Sequence, residues 1–132
     1  MFGKKLSPAH AAATFVVEST GDEGDVIPGD QICDANPSPF VIVCTLRAAI
    51  QEANALPGAD TINFNIAGSG VQTIFPTGDL PVITEQVTIN GYSQPGASPN
   101  TLADTDNAVL LIELRGTNAG FEGGCGYWLR TV

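Results

Sequence analysis

Read for its alternation of apolar and polar residues, the chain divides into short strand-like runs around one helix. In CTLRAAIQEAN, residues 44–54, the apolar positions Leu46, Ala49, Ile50 and Ala53 fall at i, i+3, i+4 and i+7, the spacing of one helix face. Thr45 stands where an N-cap hydroxyl belongs, and Leu56-Pro57-Gly58 supplies the stop, so an amphipathic helix is expected over about 45–56. Elsewhere the period is two, as in strands. ATFVVEST (13–20) reads as a first strand, followed by an acidic, turn-rich loop. In DTINFNI (60–66), Ile62, Phe64 and Ile66 share one face while Thr61, Asn63 and Asn65 share the other. Further runs are VQTIF (71–75), LPVI (80–83), QVTING (86–91) and VLLIELRG (109–116).

Ile62, Val87 and Leu110 each open an inward-facing set, and each strand soon meets glycine, at Gly68, Gly91 and Gly116. A recurrence of roughly 20 to 30 residues is the signature of a solenoid, whereas a sandwich has turn signals at shorter intervals. The expected fold is mainly β: a short right-handed parallel β-helix of about three coils with an N-terminal capping α-helix. The helix directly precedes the first repeating strand. There it would cover the open core end and the unpaired strand edge, as terminal repeats do. The expected organisation is a leader or disordered tail at 1–13 and one capping domain at 14–132. Within the domain lie the cap helix at about 45–56, coils at about 60–116 and an atypical tail at 117–132.

Composition narrows the function classes. The 132 residues carry a formal charge of -9, a balance that repels phosphate backbones and anionic membrane surfaces, so no nucleic-acid partner is expected. No stretch approaches the length of an apolar membrane span, so no membrane insertion is expected. With 15 glycines, 9 prolines and only 14% charged residues, the chain is too apolar for disorder and too rich in turns for a helical bundle. The start, MFGKKLSPAHAAA, joins a basic end to a small-residue cleavage pattern without the apolar run of a secretion signal. Two readings stay open: a disordered leader, or the tail end of a secretion signal whose front is lost.

Cys33 and Cys44 stand 11 positions apart, and Cys125 is left over. There is no Cys-x-x-Cys pair and the one histidine is His10, so zinc ligation is not expected. A Cys33–Cys44 disulfide is the favoured reading, against two buried free thiols. Such a bridge would contribute on the order of 3 kcal/mol in the chain-entropy model and would imply an oxidising compartment.

Taken together, CTLRAAIQEANALPGADTINF, the opening TFVVESTGDEGD, LPVITEQVTINGYSQPGASPNT and LLIELRGTNAG resemble the N-terminal region of bacterial repeat proteins known by a Cys-Ser-Leu-Arg-Glu-Ala (CSLREA) motif. The resemblance covers roughly residues 14 to 120, with Thr45 and Ala48 in place of the motif's Ser and Glu. It implies a place at the start of a secreted, periplasmic or cell-surface parallel β-helix protein of a bacterium. It implies no chemistry of its own. Because such proteins continue well beyond this length, the chain is expected to be a fragment or a frame-shifted reading.

Candidate chemistry is sparse. A Ser-His-Asp arrangement would depend on His10, and no G-x-S-x-G, G-x-G-x-x-G or P-loop pattern is present. Stacked coils would place Asn65, Asn90 and Arg115 in one row and Asn63, Thr88 and Glu113 in the next. That polar ladder is suited to sugar hydroxyls, with Glu113 as the one candidate catalytic carboxylate; glycoside cleavage calls for two. A solvated strand face is the plainer reading. Asp22, Asp25 and Asp30 are hard oxygen ligands of the type calcium takes, but they match no recognised calcium-loop spacing. No cofactor is therefore expected, with calcium as the alternative. At the far end nothing resembles a second cap, so Ile112, Leu114, Tyr127 and Trp128 are expected to form a homo-oligomer contact through the last coil and tail. The expected function is a non-catalytic capping and interaction module. The alternative is a small glycan-active enzyme, a polysaccharide hydrolase or lyase, or a glycan binder using the outward strand face.

Overall fold

The computed structural model describes residues 11–117 and the strand Trp128–Leu129. The elements in chain order are β1 (Thr14–Val17), α1 (Leu46–Ala55), β2 (Asp60–Phe64), β3 (Gln72–Ile74), β4 (Val87–Ile89), a one-turn 3-10 helix (Gly91–Ser93), β5 (Ile112–Arg115) and β6 (Trp128–Leu129). They form two three-stranded sheets, ordered β1-β2-β4 and β3-β5-β6. The first is parallel throughout, with Phe15 opposite Ile62 and Ile62 opposite Ile89. In the second, β3 and β5 run parallel with Ile74 opposite Leu114, and β6 closes antiparallel on β5 with Arg115 opposite Trp128.

Period-two patterning sets the inward faces. Phe15 and Val17 of β1, with Ile62, Phe64 and the following Ile66 of the β2 run, are buried, as is Ile74 of β3. The helix adds Leu46, Ala49, Ile50 and Ala53, and Leu56 follows them inside. Thr45 caps α1 as its sequence position suggests, its hydroxyl accepting the Ala48 N–H at 3.1 Å. Between β2 and β3 the chain turns at Gly68 and Gly70, whose φ values of 122° and 76° suit a residue without Cβ.

The disulfide is present: Cys33 and Cys44 are joined, with their Cα atoms 5.1 Å apart. It ties the acidic loop to the residue before the helix cap. Cys125 and Tyr127 lie outside the described residues, as do the side chain of Trp128 and most of the segment 1–13 expected as a leader.

The short right-handed parallel β-helix of three coils is not the architecture formed. Among the described residues no coil closes; there are two small separate sheets of strands two to five residues long. Three physical causes are visible. LPVI at 80–83 forms no strand, and its Pro81 lacks a ladder donor. The chain from 95 to 111 runs as loop apart from a single antiparallel bridge, Ser98–Val109. The second sheet then ends in a strand of reversed direction, which stops parallel stacking. The sequence period also misplaces the register. Val87 lies opposite Asp60, not Ile62, and VLLIELRG joins the other sheet beside β3.

Candidate functional site

The polar side of α1 carries a well-organised polar network among the described residues. Arg47 sits on a helix whose apolar stripe faces the core, so its guanidinium points to the acidic loop. There Nη2 meets Asp22 Oδ2 at 2.9 Å, Nε donates to the Asp22 carbonyl at 3.0 Å, and Nη1 donates to the Asp79 carbonyl at 2.7 Å. Asp22 also accepts the backbone N–H and hydroxyl of Thr77. Burial raises the Asp22 pKa, but the hydrogen bonds from Arg47 and Thr77 and the Arg47 charge outweigh it, leaving the carboxyl below its ordinary value.

One turn on, Gln51 Oε1 accepts the Asp25 N–H at 2.6 Å. The fully buried Glu52 accepts the N–H groups of Gly29 at 2.6 Å and Gln31 at 3.0 Å. Those bonds hold the loop where Gly29 and Gln31 both have positive φ, 100° and 71°. Burial raises the Glu52 pKa; the two N–H donors lower it, and the charges of Asp25 and Asp30 add to the rise, so the net shift is upward. Asn54 completes the row, donating to the Val82 carbonyl and accepting the Thr84 N–H, each at 2.8 Å. The helix is therefore covered on both sides, by core on one and by loop on the other.

Beside this row lies an open groove of about 280 Å³ lined by Asp25, Asp30 and Asp34 together with Val26, Ile27, Ile32, Pro37, Pro39 and Ile42. Phe40, 90% exposed, and Val41 extend the apolar surface next to it. Asp25 has its pKa raised by burial, against the N–H groups of Ile27 and Asp34, with the charges of Asp30 and Asp34 adding to the rise. Of the candidate calcium residues, Asp25 and Asp30 line this groove and Asp22 does not. Asp22 is held by Arg47, while Asp25 and Asp30 accept backbone N–H groups of their own loop. Among the described residues no three acidic, cysteine or histidine side chains are placed to hold a metal ion.

The polar ladder is divided between the two sheets. Thr88 lies opposite Thr61, two positions from where the sequence period puts it, and the Asn90 N–H bonds to Ile62 rather than standing beside Asn65. Glu113 and Arg115 belong to β5 in the other sheet. There Glu113 accepts the Thr73 hydroxyl at 2.8 Å and stands 4.0 Å from Arg115, whose guanidinium lies 5.7 Å from the Phe75 ring centroid. Asn63 keeps a buried Oδ1 with no partner among the described residues. The expected interface residues Ile112 and Leu114 pack partly buried against the core, and the strand edge they were expected to leave bare carries β6.

Arg47, Gln51, Glu52 and Asn54 were not picked out as functional in the sequence. Their signal was available, since all four lie off the apolar stripe of a helix that a loop rich in carboxylates and free N–H groups precedes. Asp60 and Gln94 were missed for another reason. Gln94 is buried and brackets Ile66, accepting its N–H at 2.9 Å and donating to its carbonyl at 2.8 Å, a partnership that chain spacing does not announce. Comparison with protein-family models, curated proteins and solved structures finds no match.

Proposed function

We propose that the chain is a non-catalytic capping and interaction module at the start of an extracellular or cell-surface protein, the role that resemblance to the Cys-Ser-Leu-Arg-Glu-Ala motif proteins implies. The observation that carries this reading is the engagement of the motif helix. Thr45, Arg47, Gln51, Glu52 and Asn54 are all hydrogen-bonded within the fold, to the loop at 23–31 and to residues 78–84. A catalytic row would leave side chains free towards a substrate; these close one side of the β1-β2 layer. In that sheet β1 and β4 are the edge strands among the described residues, and β4 has backbone groups available for a further strand. The Cys33–Cys44 bridge fits an oxidising compartment.

Two measurements test the proposal. Amide hydrogen exchange should find α1 and β2 well protected and the outward amides of β4 exchanging fast; equal protection of β4 and β2 would mean that side is not open. Incubation with a polysaccharide panel should release no new reducing ends or unsaturated products. Turnover abolished by Glu113→Ala would replace this reading with the glycan-active one.

A further inference from the structure

Asp60 opens β2 on the same face as Ile62 and Phe64 and is only 2% exposed, so its carboxyl group lies at the margin of the apolar core. Oδ1 accepts the backbone N–H of Ala13 at 2.8 Å, while Oδ2 is buried without a partner among the described residues. A carboxylate in that position, with one hydrogen bond and no countercharge among the described residues, is costly. The two described arginines are occupied elsewhere, Arg47 on Asp22 and Arg115 beside Glu113 and Phe75.

The backbone nitrogen immediately before that of Ala13 belongs to Ala12. Ala11 and Ala12 are both exposed, which leaves the bond between them open to a peptidase. Ala9-His10-Ala11 places small residues at the first and third positions before that bond, the pattern that leader peptidases cut after.

We propose that the mature chain begins at Ala12 and that its new α-ammonium group is the countercharge of Asp60. A peptidase of the small-residue class hydrolyses the Ala11–Ala12 bond. The oxygen of water joins the Ala11 carbonyl carbon, the C–N bond breaks, and both water protons end on the Ala12 nitrogen, leaving a carboxylate on Ala11 and an ammonium on Ala12. Before the cut, that nitrogen is a neutral amide with a single N–H. Afterwards it carries a charge and three donors, one residue from the N–H that already meets Oδ1. β1 starts two residues further on, so the pairing fastens the first strand to β2 only once the leader has gone. The inference stands apart from the capping role, since an enzyme with this N-terminus would gain the same anchor.

The test exploits the placement of the lysines. Both, Lys4 and Lys5, precede the cut, so the mature chain has one primary amine, its N-terminus. The full chain, with residues 8–11 replaced by Ile-Glu-Gly-Arg, is folded, then cut by factor Xa to leave Ala12 first. The α-amine of the folded product should acylate at least about tenfold more slowly than in urea, and once acylated the chain should melt about 5 °C lower or more. In Asp60→Asn the folded amine should react at the rate found in urea. Should that variant not fold, the first comparison decides alone: an amine equally reactive folded and unfolded, or acylation without effect on melting, overturns the pairing. A chain exported behind a complete leader ending in Ala9-His10-Ala11 should begin with the sequence AATFVV; any other start overturns the cleavage site.

Discussion

Arg47 and Glu52 show how single side chains hold an irregular loop in place. The Glu52 carboxylate supplies acceptors to two N–H groups of a turn that has no ladder of its own, and a buried N–H left without an acceptor costs about 1–3 kcal/mol. The titration behaviour of these groups sets opposite pH limits. Glu52 has its pKa raised above the ordinary 4.5, and Asp25 above 3.8. The native state therefore holds those protons more tightly than the unfolded chain, and stability falls as pH rises through the folded values. Asp22 is lowered from 3.8, so its contribution is complete above that pH and disappears as pH falls through the folded value. Calorimetry should find the melting temperature falling as pH rises above 4.5 and falling again as pH drops below 3.8. Glu52→Gln should lower the whole curve and flatten its high-pH side, and Asp22→Asn should remove the acid-side fall. A melting temperature that climbs steadily from pH 4 to pH 8 would contradict the upward shifts of Glu52 and Asp25.

At the scale of elements, α1 is a helix with no free side. Ile50 is 3% exposed within the core, so Ile50→Asp buries an unpaired carboxylate and costs several kcal/mol, on the order of 4. Circular dichroism should show loss of folding or a melting temperature lower by 10 °C or more. From the helical wheel alone, Gln51 on the opposite side is the harmless control. The structure corrects that, because Gln51 accepts the Asp25 N–H. Gln51→Asp shortens the acceptor and adds a charge beside Asp25, and should cost about 1–2 kcal/mol, readable as a shifted urea midpoint with unchanged slope. The disulfide acts on the same element, since Cys44 is the residue before the cap. Reduction should destabilise by about 3 kcal/mol in the chain-entropy model. Equal urea midpoints for the reduced and oxidised protein would show that the loop is held by Glu52, Gln51 and Arg47 without help from the bridge.

At the scale of the molecule, each sheet has two edge strands among the described residues, β1 and β4 in the first and β3 and β6 in the second. β5 is therefore central and carries β6 on the side away from β3. An expectation of association through the last coil and tail assumed that side of β5 to be bare. With β6 in place, deleting residues 121–132 uncovers it and should promote self-association, visible in light scattering as a larger apparent mass at tens of micromolar. A deletion variant that scatters as the full chain does, or less, would show that β6 does not protect the edge. The groove beside Phe40 is another exposed apolar feature. Phe40→Ser removes a side chain in solvent, and should leave the melting temperature within about 2 °C.

Local periodicity located the helix, its Thr45 cap and strands within 13–20, 60–66, 71–75, 86–91 and 109–116, but also a run at 80–83 that forms no strand. The Cys33–Cys44 pair followed from the few cysteines available. These depend on neighbours a few residues apart or on the scarcity of alternatives, and one chain carries that information. Register and sheet membership depend on residues tens of positions apart. A slip of two positions keeps every apolar side chain on its proper face, so the alternation that located the strands could not say that Val87 faces Asp60 or that Glu113 stands beside Thr73. The same limit dispersed the polar ladder and replaced three expected coils with two short sheets. It also hid the roles of Arg47, Glu52 and Asp60, because the partner of each is brought to it by the tertiary fold and not by spacing along the chain.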